Sequence, residues 1–163
     1  MTIFILAIVF AAVLILKFAY QAEFKAVLTS SMEPELSVGS LLVILPVDYE
    51  DIKVGDDITF VRDKNLTLVT HRVIAKNDAG KKIITQGIAN NTPDTPTFYE
   101  NVVGKVWYSI PLAGYVMVWL STSQGMVITI SVIIVIILIS LIVRLASKKD
   151  APEVADDSSE ATD

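Results

Sequence analysis

Cysteine is absent from this chain of 163 residues, and histidine occurs once. The first absence excludes a disulfide framework, a thiolate zinc site and a cysteine nucleophile. The second excludes any multi-histidine metal site. Charge is also sparse: 19% of positions are charged against 53% hydrophobic, too apolar a balance for an ordinary soluble domain. At this length there is material for one sizeable core. The net charge of −5 is unevenly spread, since residues 150–163 hold six acids and no base, while residues 1–149 hold all 13 Lys and Arg against 12 acids. Acidity is therefore a property of the tail, which is too small and polar to bury a core and is expected to be disordered. No basic patch with interleaved aromatics is present, so nucleic acid is not an expected partner.

What the chain has in abundance is long apolar sequence. Residues 2–16 form one run, which reaches Tyr20 if Lys17 snorkels to an interface. No Lys or Arg precedes this run, and Tyr20-Gln21-Ala22 has a bulky residue where a cleavage site wants a small one. An uncleaved anchor over residues 1–20 is expected in preference to a removed signal peptide. Residues 125–143 contain no charge and are rich in Ile and Val, which predicts a transmembrane helix. Arg144, Lys148 and Lys149 follow it at once, and the positive-inside rule places that end in the cytoplasm. Two crossings then put both termini in the cytoplasm and the middle outside.

The middle, residues 21–124, reads as β-rich. Residues 41–45 are a continuous apolar run, 57–62 alternate, and 66–76 and 81–88 are rich in Val, Ile and Thr around the hairpin connection Asn77-Asp78-Ala79-Gly80. Residues 102–110 are a further strand candidate, and 89–97 a loop. A small antiparallel β domain is the economical architecture. Lys76, Lys81 and Lys82 read as solvated hairpin charges. Residues 108–120 are apolar and aromatic, and two readings stay open for them: β core leading into the membrane, or an interfacial collar of Tyr and Trp.

Few groups are left for chemistry at neutral pH. Ser31, before Met32-Glu33-Pro34, has an ordinary reading as a turn or cap residue. His71 alone reads as a hydrogen-bonded structural histidine, and Asp94 as a loop residue bonding its own backbone. Together they form a pattern. Ser31-Met32-Glu33-Pro34 resembles the S-M-x-P nucleophile box of the signal peptidase I family. Gly55-Asp56-Asp57-Ile58-Thr59-Phe60 is similar to its G-D-x-[IV]-x-F box. Thr70-His71-Arg72-Val73-Ile74 resembles the H-R-[VI] box of the archaeal and endoplasmic-reticulum type, where most bacterial members have K-R. Thr85-Gln86-Gly87-Ile88-Ala89-Asn90-Asn91-Thr92-Pro93-Asp94 is similar to the T-K-G-D-x-N-x-x-x-D box. Gly104-Lys105-Val106 and Ile110-Pro111-Leu112-Ala113-Gly114-Tyr115 resemble that type's ending. The boxes come in family order and cover residues 29–115.

The resemblance implies a membrane-anchored all-β peptidase between two transmembrane helices, removing signal peptides from exported preproteins. Residues 21–124 would be the extracytoplasmic peptidase domain, and residues 144–163 a cytoplasmic basic patch and acidic tail. Ser31 would be the nucleophile, His71 the general base, Asp94 the acid orienting it, with Thr29 Oγ and the Ser31 N–H as the oxyanion hole. No cofactor is implied. Signal-peptide-bearing preproteins, the lipid bilayer and the secretion translocon are the implied partners, and two anchors point to a cell membrane. Ile88 departs from the pattern, standing where the family usually has an aspartate. That departure motivates two alternatives: a catalytically silent relative that binds preproteins or scaffolds membrane proteins, and a dedicated protease with one substrate. Arg72 and Lys105 are given structural roles.

Overall fold

The computed structural model describes residues 2–149 of the chain. The acidic tail, and with it the expectation of disorder there, lies outside the described residues. Two compact units are distinguished, residues 1–119 and residues 120–163.

In the first unit, helix α1 (Thr2–Phe18) is followed by seven strands: β1 (Glu23–Ala26), β2 (Leu41–Leu45), β3 (Asp57–Val61), β4 (Leu68–Asn77), β5 (Lys82–Gln86), β6 (Thr97–Phe98) and β7 (Val102–Ile110). They form one antiparallel sheet in the order β1-β2-β7-β3-β4-β5-β6. The expected antiparallel β domain is therefore present, and β2 and β7 have the expected bounds. β3 departs from the alternation read for it: Ile58, Thr59 and Phe60 are buried in succession. The strand lies between β7 and β4, with both of its edges paired. Thr59 tolerates that burial because its hydroxyl lies 2.7 Å from that of Thr70 on the neighbouring strand.

Two apolar clusters hold the unit. One joins Tyr49, Ile52, Ile58, Phe60, Val73 and Ile83. The other joins Met32, Leu36, Leu42 and Ile44, with Val27, Ile88 and Val106 packed against it. Each fully buried side chain of this kind contributes about 1.5–3 kcal/mol. Met32 follows Ser31 directly and is 2% exposed, so the second cluster also anchors the turn that carries the serine. Met32→Ala is expected to cost about 2–5 kcal/mol of stability. Thermal or denaturant unfolding of the variant measures it, and an unchanged midpoint would mean that the turn is held elsewhere.

Lys76 corrects one expectation. Its ammonium donates to the carbonyls of Tyr49 and Ile52, both at 2.6 Å, and lies 4.2 Å from the centre of the Tyr49 ring. It is a partly buried tether for the turn Tyr49–Asp51, where three donors on a flexible stem find carbonyls, and not a solvated charge. Lys81 and Lys82 remain at the hairpin, Lys81 beside Glu50 at 3.5 Å and Lys82 over the Phe98 ring.

Residues 113–121 form a short helix, α2 (Ala113–Ser121), rather than strand. Before it, Trp107 and Tyr108 are both 61% exposed and Leu112 is 69% exposed. For Tyr108 and Leu112, which belong to the stretch 108–120, the β-core reading does not hold.

In the second unit, helix α3 (Ser123–Lys149) contains one stretch, Ser123–Leu145, long and apolar enough by length and composition to cross a membrane. It extends beyond residues 125–143 at both ends. Among the described residues it is the one helix that meets that measure. Helix α1 has 17 residues, which at 1.5 Å per residue is about 26 Å, shorter than the hydrocarbon thickness. The second of the two expected spans is thus not borne out by length.

Candidate active site

Ser31, His71 and Asp94 lie 40 and 23 residues apart in sequence and are joined by hydrogen bonds. Each is delivered by a different element. Ser31 sits on a single 3-10 turn, Ser30–Met32, with Met32 plugged into the apolar cluster on one side. His71 lies in the middle of β4, opposite Ile58 of β3, is 2% exposed, and its ring meets Phe60 edge-on. Asp94 closes the loop after β5. Its backbone N–H donates to the Thr85 carbonyl at 2.8 Å, which brings the loop back alongside that strand.

The geometry is a relay. His71 Nε2 lies 3.0 Å from Ser31 Oγ, and His71 Nδ1 lies 2.5 Å from Asp94 Oδ2. An ionised carboxylate only accepts, so the ring places its proton on Nδ1 and donates it to Asp94. Nε2 is then the lone-pair nitrogen, and the Ser31 hydroxyl donates to it. This is the tautomer that can take a proton from Ser31 when the oxygen attacks a carbonyl. Thr29 Oγ1 lies 3.4 Å from Ser31 Oγ, on the exposed side.

Two partners of Asp94 were not singled out by sequence reasoning. Thr85 Oγ1 donates to Asp94 Oδ2 at 2.8 Å, and Arg62 Nη2 donates to Oδ1 at 3.3 Å. Thr85 is fully buried and Arg62 is half-exposed. Both carboxylate oxygens are therefore engaged, which fixes the plane that His71 meets. Nothing in the sequence marks Arg62, since an Arg at a strand end is ordinary; Thr85 opens the box that ends at Asp94, and that position was the signal that could have found it. Thr85→Val keeps the shape and removes the donor. It is expected to lower kcat roughly tenfold, the effect of one hydrogen bond to a charged group, with KM unchanged in steady-state cleavage of a peptide. A wild-type kcat would remove Thr85 from the site.

Ile88 is now explained. It packs against the cluster of Met32, Leu36, Leu42 and Ile44, while Asp94 supplies the carboxylate at His71. Gly87 before it is required by contact: a Cβ there would lie 2.6 Å from the Ser31 carbonyl oxygen. The same carbonyl accepts from the Ala89 N–H at 2.9 Å. The turn after β5 thus presses directly on the serine turn, and only glycine leaves room.

Arg72, next to His71, is bidentate to Glu35 and to Asp57. The hydrogen bonds from Arg72 hold the Glu35 carboxyl below the usual carboxylate range, with burial opposing and Arg72's charge adding to the effect. Arg72 is raised in turn by its bonds to Glu35 and Asp57. For a lowered carboxyl the contribution is full above its ordinary value and is lost as pH falls through the lowered one, so this pair stays closed through neutral pH. Lys105 pairs with Asp56 at 2.7 Å.

Comparison with known proteins points the same way as the residues. No family model matches the chain. Over 82 residues it is 40% identical to signal peptidase I W of Bacillus subtilis, a stretch covering 48% of this chain and 43% of that protein. It is 35% identical over 107 residues to the signal peptidase complex catalytic subunit sec11 of Sclerotinia sclerotiorum, covering 58% and 62%. With SEC11 of Zygosaccharomyces rouxii it shares 33% identity over 111 residues, covering 60% and 65%. The chain thus spans less than two thirds of each of these relatives. Its curated homologues are signal peptidase I and the SEC11 catalytic subunits, which supports the endoplasmic-reticulum-like signal peptidase I family.

Proposed function

We propose that this chain is a membrane-bound serine endopeptidase that removes signal peptides from exported preproteins. The observation that carries the reading is the continuous hydrogen-bonded path from Ser31 Oγ through His71 to Asp94. In the reaction, Ser31 Oγ attacks the scissile carbonyl as His71 Nε2 takes its proton. Asp94 stabilises the imidazolium through Nδ1–H. His71 then returns the proton to the leaving amine, and a water molecule, deprotonated the same way, releases the acyl group. Ser31 N–H and Thr29 Oγ1 are the oxyanion donors in this scheme, each contributing on the order of 2.7–4 kcal/mol to the barrier. No metal or organic cofactor enters any step.

The substrate's stretch before the cut binds as an added strand, its backbone held by hydrogen bonds and its side chains sorted by shallow apolar pockets. Such a substrate begins in a bilayer, and several features suit an enzyme working beside one. Helix α3 is the anchor, with α1 as a second, shorter one whose end is helped to the interface by Lys17. The basic residues after α3 put that end in the cytoplasm and residues 21–124 outside. Exposed Trp107, Tyr108 and Tyr115 serve as an interfacial collar. Preproteins, lipid and the translocon that delivers preproteins are the partners.

The test is cleavage of a signal-bearing preprotein by the full chain in liposomes, with the product's new N-terminus sequenced. Labelling by a serine-reactive phosphonate is measured alongside. Cleavage after the hydrophobic stretch together with labelling at Ser31 supports the reading. No cleavage and no labelling would instead identify a silent binding relative.

A further inference from the structure

Apolar burial alone does not explain how the serine turn keeps its register. Met32 and Leu36 tie the segment after Ser31 to the second cluster, but apolar contact is non-directional and tolerates sliding. Serine-to-histidine geometry does not tolerate it. A displacement of about 1 Å can cost a hundredfold in rate. The Ala89 N–H supplies one directional tie, at the Ser31 carbonyl, and Arg72 is placed to supply a second from the strand that carries His71.

Arg72 follows His71 on β4, so the two side chains leave the strand on opposite faces. His71 reaches Ser31, while Arg72 reaches Glu35, four residues further along the same segment. Its Nη1 and Nη2 donate to Glu35 Oε1 and Oε2 at 2.9 and 2.6 Å. Its Nε and Nη2 donate to Asp57 Oδ1 and Oδ2 at 2.9 and 3.0 Å. Asp57 stands directly across from Arg72 on β3. One planar guanidinium therefore binds two carboxylates, one on the strand pair that carries His71 and one on the segment that carries Ser31. The fork fixes direction as well as distance, which a lysine's point charge would not. Glu35 is half-exposed, so its ion pair adds little to global stability. The geometry is left as its use.

We propose that Arg72 is a positioning residue: through Glu35 and Asp57 it fastens the nucleophile segment to β3 and β4, holding Ser31 Oγ within reach of His71 Nε2. This rests on the serine-peptidase reading above. Among the described residues, Arg72 and Glu35 are not hydrogen-bond partners of Ser31, His71 or Asp94, and act through the position of Ser31.

The experiment uses the full chain in liposomes and the variants Glu35→Gln, which keeps the size and removes the bidentate pair to Glu35, and Arg72→Lys, which keeps the charge and removes both bidentate pairs. Both are expected to lower kcat between about tenfold and a hundredfold, with KM within about twofold of wild type. Phosphonate labelling of Ser31, which needs no peptide contacts, should slow in parallel, and the melting temperature should hold. Wild-type kcat in both variants, a loss carried by KM, or a melting temperature that falls in step with kcat would each overturn the inference. Ser31→Ala is run beside them. If it is inactive while Glu35→Gln and Arg72→Lys are fully active, only the positioning role falls; if Ser31→Ala still cleaves, the peptidase reading falls and the positioning role with it.

Discussion

Replacing Ser31 by Ala, or His71 by Ala, is expected to lower kcat for preprotein cleavage by roughly a factor of 10⁶, and the double variant by scarcely more. The expectation follows from the 3.0 Å contact between Ser31 Oγ and His71 Nε2. A serine hydroxyl without a base is a poor nucleophile, and a base without the hydroxyl has no proton to take. Groups that work as a unit lose nearly everything at the first removal, so the costs do not add. His71 is buried against Phe60, and Ala there leaves a cavity. Unfolding curves for each variant therefore accompany the kinetics, and His71→Gln supplies a variant closer in size. Appreciable cleavage by Ser31→Ala, or losses that multiply in the double variant, would end the assignment of these two as nucleophile and base.

Asp94→Asn should lower kcat by about 10⁴, with the fold and KM nearly unchanged. The size of the effect comes from the tautomer rather than from charge alone. Arg62 Nη2 donates to Oδ1, whereas Thr85 Oγ1 and His71 Nδ1 share Oδ2, so the amide oxygen stays with Arg62 and the NH₂ takes the place of Oδ2, facing His71 Nδ1 and the Thr85 hydroxyl, which turns to accept. A donor at that place makes Nδ1 the acceptor and moves the ring proton to Nε2, where it blocks transfer from Ser31. Asp94→Glu keeps the charge but carries it one methylene too far, and a value between Asn and wild type is expected. Steady-state kinetics on one substrate rank the three. If Asn matched wild type, Asp94 would be a loop residue and nothing more.

The site was legible in the chain for a reason that does not extend to the fold around it. Ser31, His71 and Asp94 stand in short ordered boxes, and their residue types alone suit acyl transfer. Arg62 and Glu35 carry no such mark, and Thr85, though it opens the last box, is not marked there as a partner of the acid, because a hydroxyl or a charge becomes a partner only when another segment is folded against it. Ile88 shows the converse. In the sequence it is a missing acid, whereas in the structure it is a side chain of the apolar cluster around Met32. Lys76 likewise reads as a solvated charge until the Tyr49–Asp51 turn brings two carbonyls to it.

What the sequence by itself determined is local: the strands β2 and β7, whose apolar content needs no partner to be read; the apolar length of α3; and the boxes bearing the serine, the histidine and the acid. Hydropathy period and composition act over neighbouring residues and survive without the fold. Tertiary structure alone decided that Ser31 and His71, 40 residues apart, lie 3.0 Å from each other. It also decided that Gly87 must be glycine, since a Cβ there meets the Ser31 carbonyl, and that one arginine binds carboxylates from two segments. These are distances between remote parts of the chain. Only the packing of β4, β5 and the serine turn sets them.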